Sequence, residues 1–354
     1  MDLRRTTFLR FLAAFAILVF HFGQECPSLR WGQPLWAIAN SATSFFYLLS
    51  GFILTCVYSA RSQWTAGGFY RARAARILPL YVLATLPAGL GLWWHGGVSG
   101  VELVLVLLLL QAWVPGHSLS IVNAPAWSLS VEAFFYLTFP FTQKLVTRLT
   151  APRRLLAAMA MLWLAGQYLH WQAMQPFLAG GGSKWLWDAS HHHPLGHLAT
   201  FLIGAVGGRF HLLHGAACRR AAPWLVLAAV GGLVGVAYWS PRWLMYHHNG
   251  LLAPLFLLLV LGVTWGAGPW FDVLASRPLQ LLGEISYGIY ILQMPAHLLF
   301  CVGIADLGWT PSPEASFWTF SAVLCLLSWV SWRFVETPLR RWISGPAPAA
   351  RAPR

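Results

Sequence analysis

Five ionisable side chains stand inside apolar stretches: Arg10, His21, Glu132, Glu284 and Arg333. Placing such a group at mid-membrane costs about 2.5–3.5 kcal/mol on insertion scales, so each calls for a partner or a task. Arg10 and His21 lie eleven residues apart in one run, Leu9-Arg-Phe-Leu-Ala-Ala-Phe-Ala-Ile-Leu-Val-Phe-His21. At 3.6 residues per turn, eleven positions make just over three full turns. Both side chains then leave one helix face, about 16 Å apart along the axis. A guanidinium near one end of a span can grip phosphate through paired hydrogen bonds. An imidazole deeper in it can serve as a general base, because its pKa lies near neutrality. A long, thin substrate with anionic groups at one end and a reactive centre at the other fits that spacing. The same pair also admits a structural reading, with Arg10 reaching to the interface and His21 bonding a backbone carbonyl.

Trp127-Ser-Leu-Ser-Val-Glu132 opens another apolar run, with Ser128 and Glu132 four residues apart on one face. A carboxylate at that depth needs a cation or a hydrogen-bond donor, and His21 or an arginine is the natural candidate. A purely structural ion pair is the other reading of Glu132, and serines in such helices more often bond the backbone than act as nucleophiles. Arg71-Ala-Arg73-Ala-Ala-Arg76-Ile-Leu-Pro79-Leu-Tyr81 leads into a further run. Arg73 and Arg76 share a helix face and could hold phosphate, or simply anchor the helix end. The tract His191-His-His193, with His197 after it, reads as an incidental loop feature, and no metal is expected.

These residues need a membrane to position them. Of 354 residues, 58% are hydrophobic and only 9% charged, with 21 Trp, too little charge to cover a soluble surface. The expected fold class is all-α, a polytopic transmembrane helical bundle of about ten spans. Residues 1–344 form one membrane domain, and the Pro- and Ala-rich residues 345–354 a disordered tail. The spans are read at 6–24, 38–58, 77–94, 125–143, 154–171, 196–210, 223–239, 250–267, 279–301 and 315–334. Val101–Val114 is short for a full crossing and reads as a re-entrant piece.

The net charge of +13 comes from clusters between the apolar runs: around Arg4, around Arg73, from Lys144 to Arg154, around Arg219 and around Arg340. That pattern orients spans with their basic loops on the cytoplasmic side, so it replaces nucleic-acid binding as the explanation of the charge. With the re-entrant piece, all the clusters and both termini fall on that side of a cell (inner) membrane. The outer loops are then 25–37, 172–195, 240–249 and 302–314. Arg4 and Arg5 ahead of an apolar core look like a secretory signal, but no small-x-small cleavage site follows, and the segment reads as a retained span. The cysteines, at 26, 56, 218, 301 and 325, show no CxxC spacing and read as small buried hydrophobes. No internal repeat is visible.

Taken in order, the motifs resemble those of the membrane-bound acyltransferase-3 family, whose members move acyl groups from acyl-CoA to extracytoplasmic acceptors. The Arg10…His21 element comes first, then Phe45-Phe-Tyr-Leu-Leu-Ser-Gly-Phe52 and Arg73…Arg76…Pro79…Tyr81. Trp127-Ser-Leu-Ser-Val-Glu132, Gly283-Glu-Ile-Ser-Tyr-Gly-Ile-Tyr290 and Val335-Glu336-Thr-Pro338 complete the series. The resemblance implies acyl-CoA, acetyl-CoA by default, as co-substrate, with Arg73, Arg76 and Arg10 on its phosphates. It implies His21 as the base that deprotonates a glycan or glycoside hydroxyl, with Glu132 orienting it. Ser50, Gly51, Trp127, Ser128, Tyr287 and Gln293 would line the substrate tunnel.

The chain departs from the family pattern at Gln293, where a His is typical; Gln can hydrogen-bond but takes no proton at neutral pH. No extracytoplasmic esterase-like domain of the kind many relatives carry is read in this sequence, so the expectation is that it acylates its acceptor directly or that a separate extracytoplasmic transferase finishes the transfer. Two rivals remain at this level. Embedded Arg, His and Glu also suit a transporter or flippase that moves a glycan without modifying it. A structural membrane subunit would use them for stability alone.

Overall fold

Several of the helices begin where a polar side chain closes their first turn. Thr65, Ser99, Ser183 and Ser312 each accept a backbone N–H from three residues on, which satisfies an otherwise orphaned donor. The computed structural model describes residues 3–239 and 249–344. In chain order the helices are α1 (Arg4–Phe22), α2 (Gln33–Ala37), α3 (Ala42–Ser59), α4 (Ala66–Trp94) and α5 (Gly100–Leu107). They continue with α6 (Trp127–Val146), α7 (Pro152–Leu178), α8 (Lys184–His192), α9 (Pro194–His214) and α10 (Ala222–Trp239). The last are α11 (Ala253–Trp265), α12 (Pro269–Asp272), α13 (Arg277–Asp306), α14 (Pro313–Ser331) and α15 (Thr337–Ser344). No strand occurs among the described residues, and the architecture is an all-α polytopic bundle.

Six of these helical stretches are long and apolar enough to cross a membrane, or up to seven if the pair Ala253–Trp265 and Pro269–Ala275, bent by 108°, is one span. That is fewer than the ten expected from the sequence. The expected spans at 125–143, 154–171 and 196–210 are helical (α6, α7, α9) but do not qualify by composition. Helices α6 and α9 bury polar groups along their length, among them Ser128, Ser130 and Gln143 on α6 and His197 and Thr200 on α9. The run at 250–267 is helical only from Ala253, for 13 residues, before the chain bends. Val101–Val114 folds as α5, which is followed by Leu109 at φ 58° and a 3₁₀ turn at Gln111–Trp113. Eight helical residues rise only about 12 Å, well short of a bilayer core of about 30 Å.

The expected outer loop 172–195 is largely helical, since α7 runs to Leu178 and α8 occupies Lys184–His192. The loop 240–249, up to residue 248, and the tail 345–354 lie outside the described residues.

Small residues set the helix contacts around the site. Helix α3 lies directly on α9: a Cβ on Gly51 would meet the Phe201 carbonyl, and one on Gly204 the Leu48 carbonyl. Such backbone-to-backbone approach is how membrane helices associate without a hydrophobic driving force. On the other side, Gly283 of α13 lies against the backbone of Thr7 in α1, and Gly288 against Ser328 of α14. Helices α1, α3, α6 and α13, with the Arg-bearing end of α4, are thereby gathered around a polar interior.

Candidate functional site

Two adjoining cavities open into the polar interior. The first is lined by Arg10 from α1, Ser50 from α3, Arg73 and Arg76 from α4, Glu132 from α6 and Tyr287 from α13. Among the described residues none of the three guanidiniums makes an ion pair. Arg73 is steered by aromatic faces instead, with its guanidinium 5.8 Å from the Tyr136 ring centre and 6.0 Å from that of Phe69. Its Nε is buried without a hydrogen-bond partner. Glu132 accepts hydrogen bonds from the hydroxyls of Tyr136 (2.5 Å) and Ser50 (3.3 Å). The cavity therefore offers three cations against one carboxylate already engaged with two hydroxyls, an arrangement that suits an anion.

The second cavity lies towards the other end of α1. Its lining includes Phe20 and His21 from α1, Thr43 from α3, Trp127 from α6, His192 from α8 and Tyr290 from α13. The His21 ring is 2.9 Å, through Nδ1, from Oε1 of Gln293. Gln293 is fully buried, and its Nε2 donates to the Tyr290 carbonyl at 2.7 Å. That second bond settles which end of the amide faces His21: the oxygen. An amide oxygen only accepts, so Nδ1 carries the proton and Nε2 keeps its lone pair. Gln293 thus fixes the imidazole in the tautomer that a base acting through Nε2 requires.

The sequence-derived residues divide between these cavities. Arg10, Arg73, Arg76, Glu132, Ser50, Ser128 and Tyr287 line the first, and His21 and Trp127 the second. Glu132 and His21, suggested as partners, are not brought together: the Glu132 carboxylate is held by Ser50 and Tyr136, and His21 by Gln293. The reason is depth, because Glu132 lies a full helical turn beyond Ser128, towards the arginines. Gly51 does not line either cavity but forms the α3–α9 contact behind Ser50, and Gln293 stands behind His21. The two remaining embedded charges fall elsewhere, Glu284 beside Arg277 at 3.4 Å and Arg333 against the Phe334 ring.

Several residues were missed in the sequence. Tyr136 sits four residues after Glu132, and Asp188 four before His192, a spacing that should have flagged both pairs. The histidine tract is not an incidental loop. It forms the end of α8, with His192 Nδ1 2.5 Å from Asp188 Oδ1. Asp188 also accepts backbone N–H groups from Gly116 and from Ser118 at 3.4 Å. Burial pushes the Asp188 carboxyl up, but the hydrogen bonds from His192, Gly116 and Ser118 outweigh it and hold the group below its usual range. Burial also drives neighbouring His191 down to about 4. No group of three or more potential metal-ligating side chains gathers among the described residues.

A family model described as an acyltransferase domain matches residues 6–335. Acyltransferase MdmB of Streptomyces mycarofaciens is 30% identical over 379 residues, covering 98% of this chain and 94% of its own. Nodulation protein 10 of Rhizobium leguminosarum bv. viciae is 25% identical, covering 92% of this chain and 91% of its own. Peptidoglycan O-acetyltransferase OatA of Listeria monocytogenes is 20% identical over 94% of this chain, which spans 55% of the relative's length. No solved structure matches the chain.

Proposed function

The chain belongs to the acyltransferase-3 family of membrane acyltransferases, and we propose that it moves an acyl group, acetyl by preference, from acyl-CoA to a hydroxyl of an extracytoplasmic or lipid-linked glycan or glycoside. The observation that carries this reading is a cavity of three arginines, which make no ion pair among the described residues, adjoining a second cavity in which His21 Nδ1 faces the amide oxygen of Gln293. Acyl-CoA has that shape, with phosphates at one end, a thin arm, and a thioester at the other. The distance from Arg10 to His21 along α1, about 16 Å, suits such an arm.

In this reading Arg10, Arg73 and Arg76 hold the CoA phosphates at the end of the bundle read as cytoplasmic from its basic clusters. The arm points the thioester towards His21. An acceptor hydroxyl enters from the opposite side, and His21 Nε2 removes its proton as the oxygen attacks the acyl carbonyl. The carbon–sulfur bond breaks, the ester forms, and the proton on His21 passes to the departing thiolate to give free CoA. Glu132, held by Ser50 and Tyr136, keeps the cavity wall in place and offsets part of the arginine charge. The acetyl preference draws support from the Listeria relative, which is named as a peptidoglycan O-acetyltransferase.

The test is His21→Ala in membranes supplied with labelled acetyl-CoA and a crude glycan acceptor. Loss of labelled product at normal protein abundance is expected. Wild-type rates in the variant would remove His21 from the chemistry. A wild-type protein that moves glycan yet releases no CoA would be a transporter.

A further inference from the structure

The two cavities touch at one place. Thr43 and Tyr290 are the residues that line both of them among the described residues, and Ser128 lines the arginine side of the same spot. The Tyr290 hydroxyl lies 2.8 Å from Ser128 Oγ and 3.2 Å from the Pro125 carbonyl, and Ser128 Oγ donates to that carbonyl at 2.9 Å. A phenol has one proton to give, so the shorter bond makes a chain: Tyr290 donates to Ser128, and Ser128 to Pro125. Thr43 stands on the α3 side of the same spot, lining both cavities with Tyr290. The ring itself is propped edge-on against Phe46, 5.9 Å between centres.

We propose that Tyr290, clasped through its hydroxyl to Ser128, is a septum between a donor cavity and an acceptor cavity, and that it governs which acyl groups reach His21. This rests on the reading of the protein as an acyl-CoA-dependent transferase. The reasoning is geometric. The arginines that would grip the donor lie on one side of the Thr43–Tyr290 line, and His21 on the other. An acyl carbonyl therefore has to pass that line to meet an oxygen activated by His21.

The clasp is made of two hydroxyls and one carbonyl, so it can part and re-form without burying a charge. Its net strength is that of ordinary neutral hydrogen bonds. While closed, it keeps acceptor-side water from the thioester. When open, the gap is bounded by the Tyr290 ring and the short side chains of Thr43 and Ser128, which leaves passage for a small acyl group and obstructs a long one. The same turn of α13 serves both tasks, because the Tyr290 carbonyl is the group that orients Gln293, and through it His21.

The experiment uses the full chain in proteoliposomes, with Tyr290→Phe, which keeps the ring and loses the clasp, and Thr43→Val as a second, independent variant. CoA release from acetyl-CoA without acceptor is read first. Tyr290→Phe should raise it about threefold to tenfold, the factor expected for losing one such hydrogen bond. The rate with butyryl-CoA relative to acetyl-CoA should rise in the same variant. A reading independent of catalysis comes from Ile53→Cys, which places a thiol on the wall of the arginine cavity. With the unsubstituted chain as background, a membrane-impermeant maleimide should reach it from the arginine side only, and from both sides once Tyr290→Phe is added. One-sided labelling in the double variant, or two-sided labelling with Tyr290 intact, overturns the septum. Correct labelling with no CoA release from any acyl-CoA by the wild type would leave the septum standing and refute the transferase reading instead.

Discussion

Replacing Gln293 by Leu should uncouple the orientation of His21 from the rest of the site. The bond between Gln293 Oε1 and His21 Nδ1 is 2.9 Å long, and Gln293 is fully buried. Leu fills a similar volume but offers no acceptor, so the Nδ1–H would be left in an apolar surrounding. A buried donor without a partner costs about 1–3 kcal/mol. His21 avoids that cost by turning its ring or moving its proton to Nε2, and either change removes the productive tautomer. At about 1.4 kcal/mol per factor of ten, kcat should fall roughly fivefold to 150-fold. The KM for acyl-CoA should stay near the wild-type value, because Gln293 lines neither cavity. Gln293→His, whose ring can also present an acceptor nitrogen, should recover most of the loss. The assay is steady-state CoA release with acceptor, in detergent, at matched abundance and melting temperature. A Leu variant with wild-type kcat would show that Gln293 does not set the His21 tautomer. A raised KM with unchanged kcat would show that it acts on donor binding.

Two further outcomes follow from the same geometry. Arg76→Ala should raise the KM for acyl-CoA about tenfold or more with a smaller effect on kcat, as expected for a charge-assisted phosphate contact of about 1.5–3 kcal/mol, measured by titrating acyl-CoA at fixed acceptor; an unchanged KM would place the phosphates elsewhere. The folded-state pKa of His191 is lowered from 6.5 to about 4, so the unfolded chain binds more protons between those values and stability falls as pH drops from 6.5 towards 4. Melting temperature in detergent should decline across that window in the wild type and decline less in His191→Gln, and parallel curves would contradict the assignment.

The residues that stood out in the sequence did so because lipid makes charge expensive. Arg10, His21 and Glu132 are conspicuous in runs of Leu, Phe and Ala, and the helical character of those runs follows from the need to pair every backbone group internally. Which charges meet is another matter. It depends on helix depth and rotation, and a single residue along α6 shifts a side chain by 100° and 1.5 Å. Glu132 therefore reads equally well as a partner for His21 or for a hydroxyl, and only the packing of α6 on α3 brings it to Ser50. Fewer helices are apolar enough to cross a membrane than the ten expected, for a related reason. Helices α6, α7 and α9 are apolar enough to look like crossings in a rough reading, yet α6 and α9 devote their inner faces to Ser, Gln, His and Thr. Helix α8 was invisible because its pattern is mostly polar and its anchor, Asp188, holds backbone groups of a segment some seventy residues earlier.

The contact between α3 and α9 has a bearing on how such a protein diversifies. At Gly51 and Gly204 the two helices meet main chain to main chain, so the wall behind Ser50 has almost no side chains that substitution could resize. That half of the interior is a fixed datum, inherited whole or lost whole. The facing half, built from Arg73, Arg76, Tyr287 and Tyr290 on α4 and α13, is made of side chains and can be recut one residue at a time. New donors and acceptors would then be won on one wall of the chamber, against a second wall that stays constant.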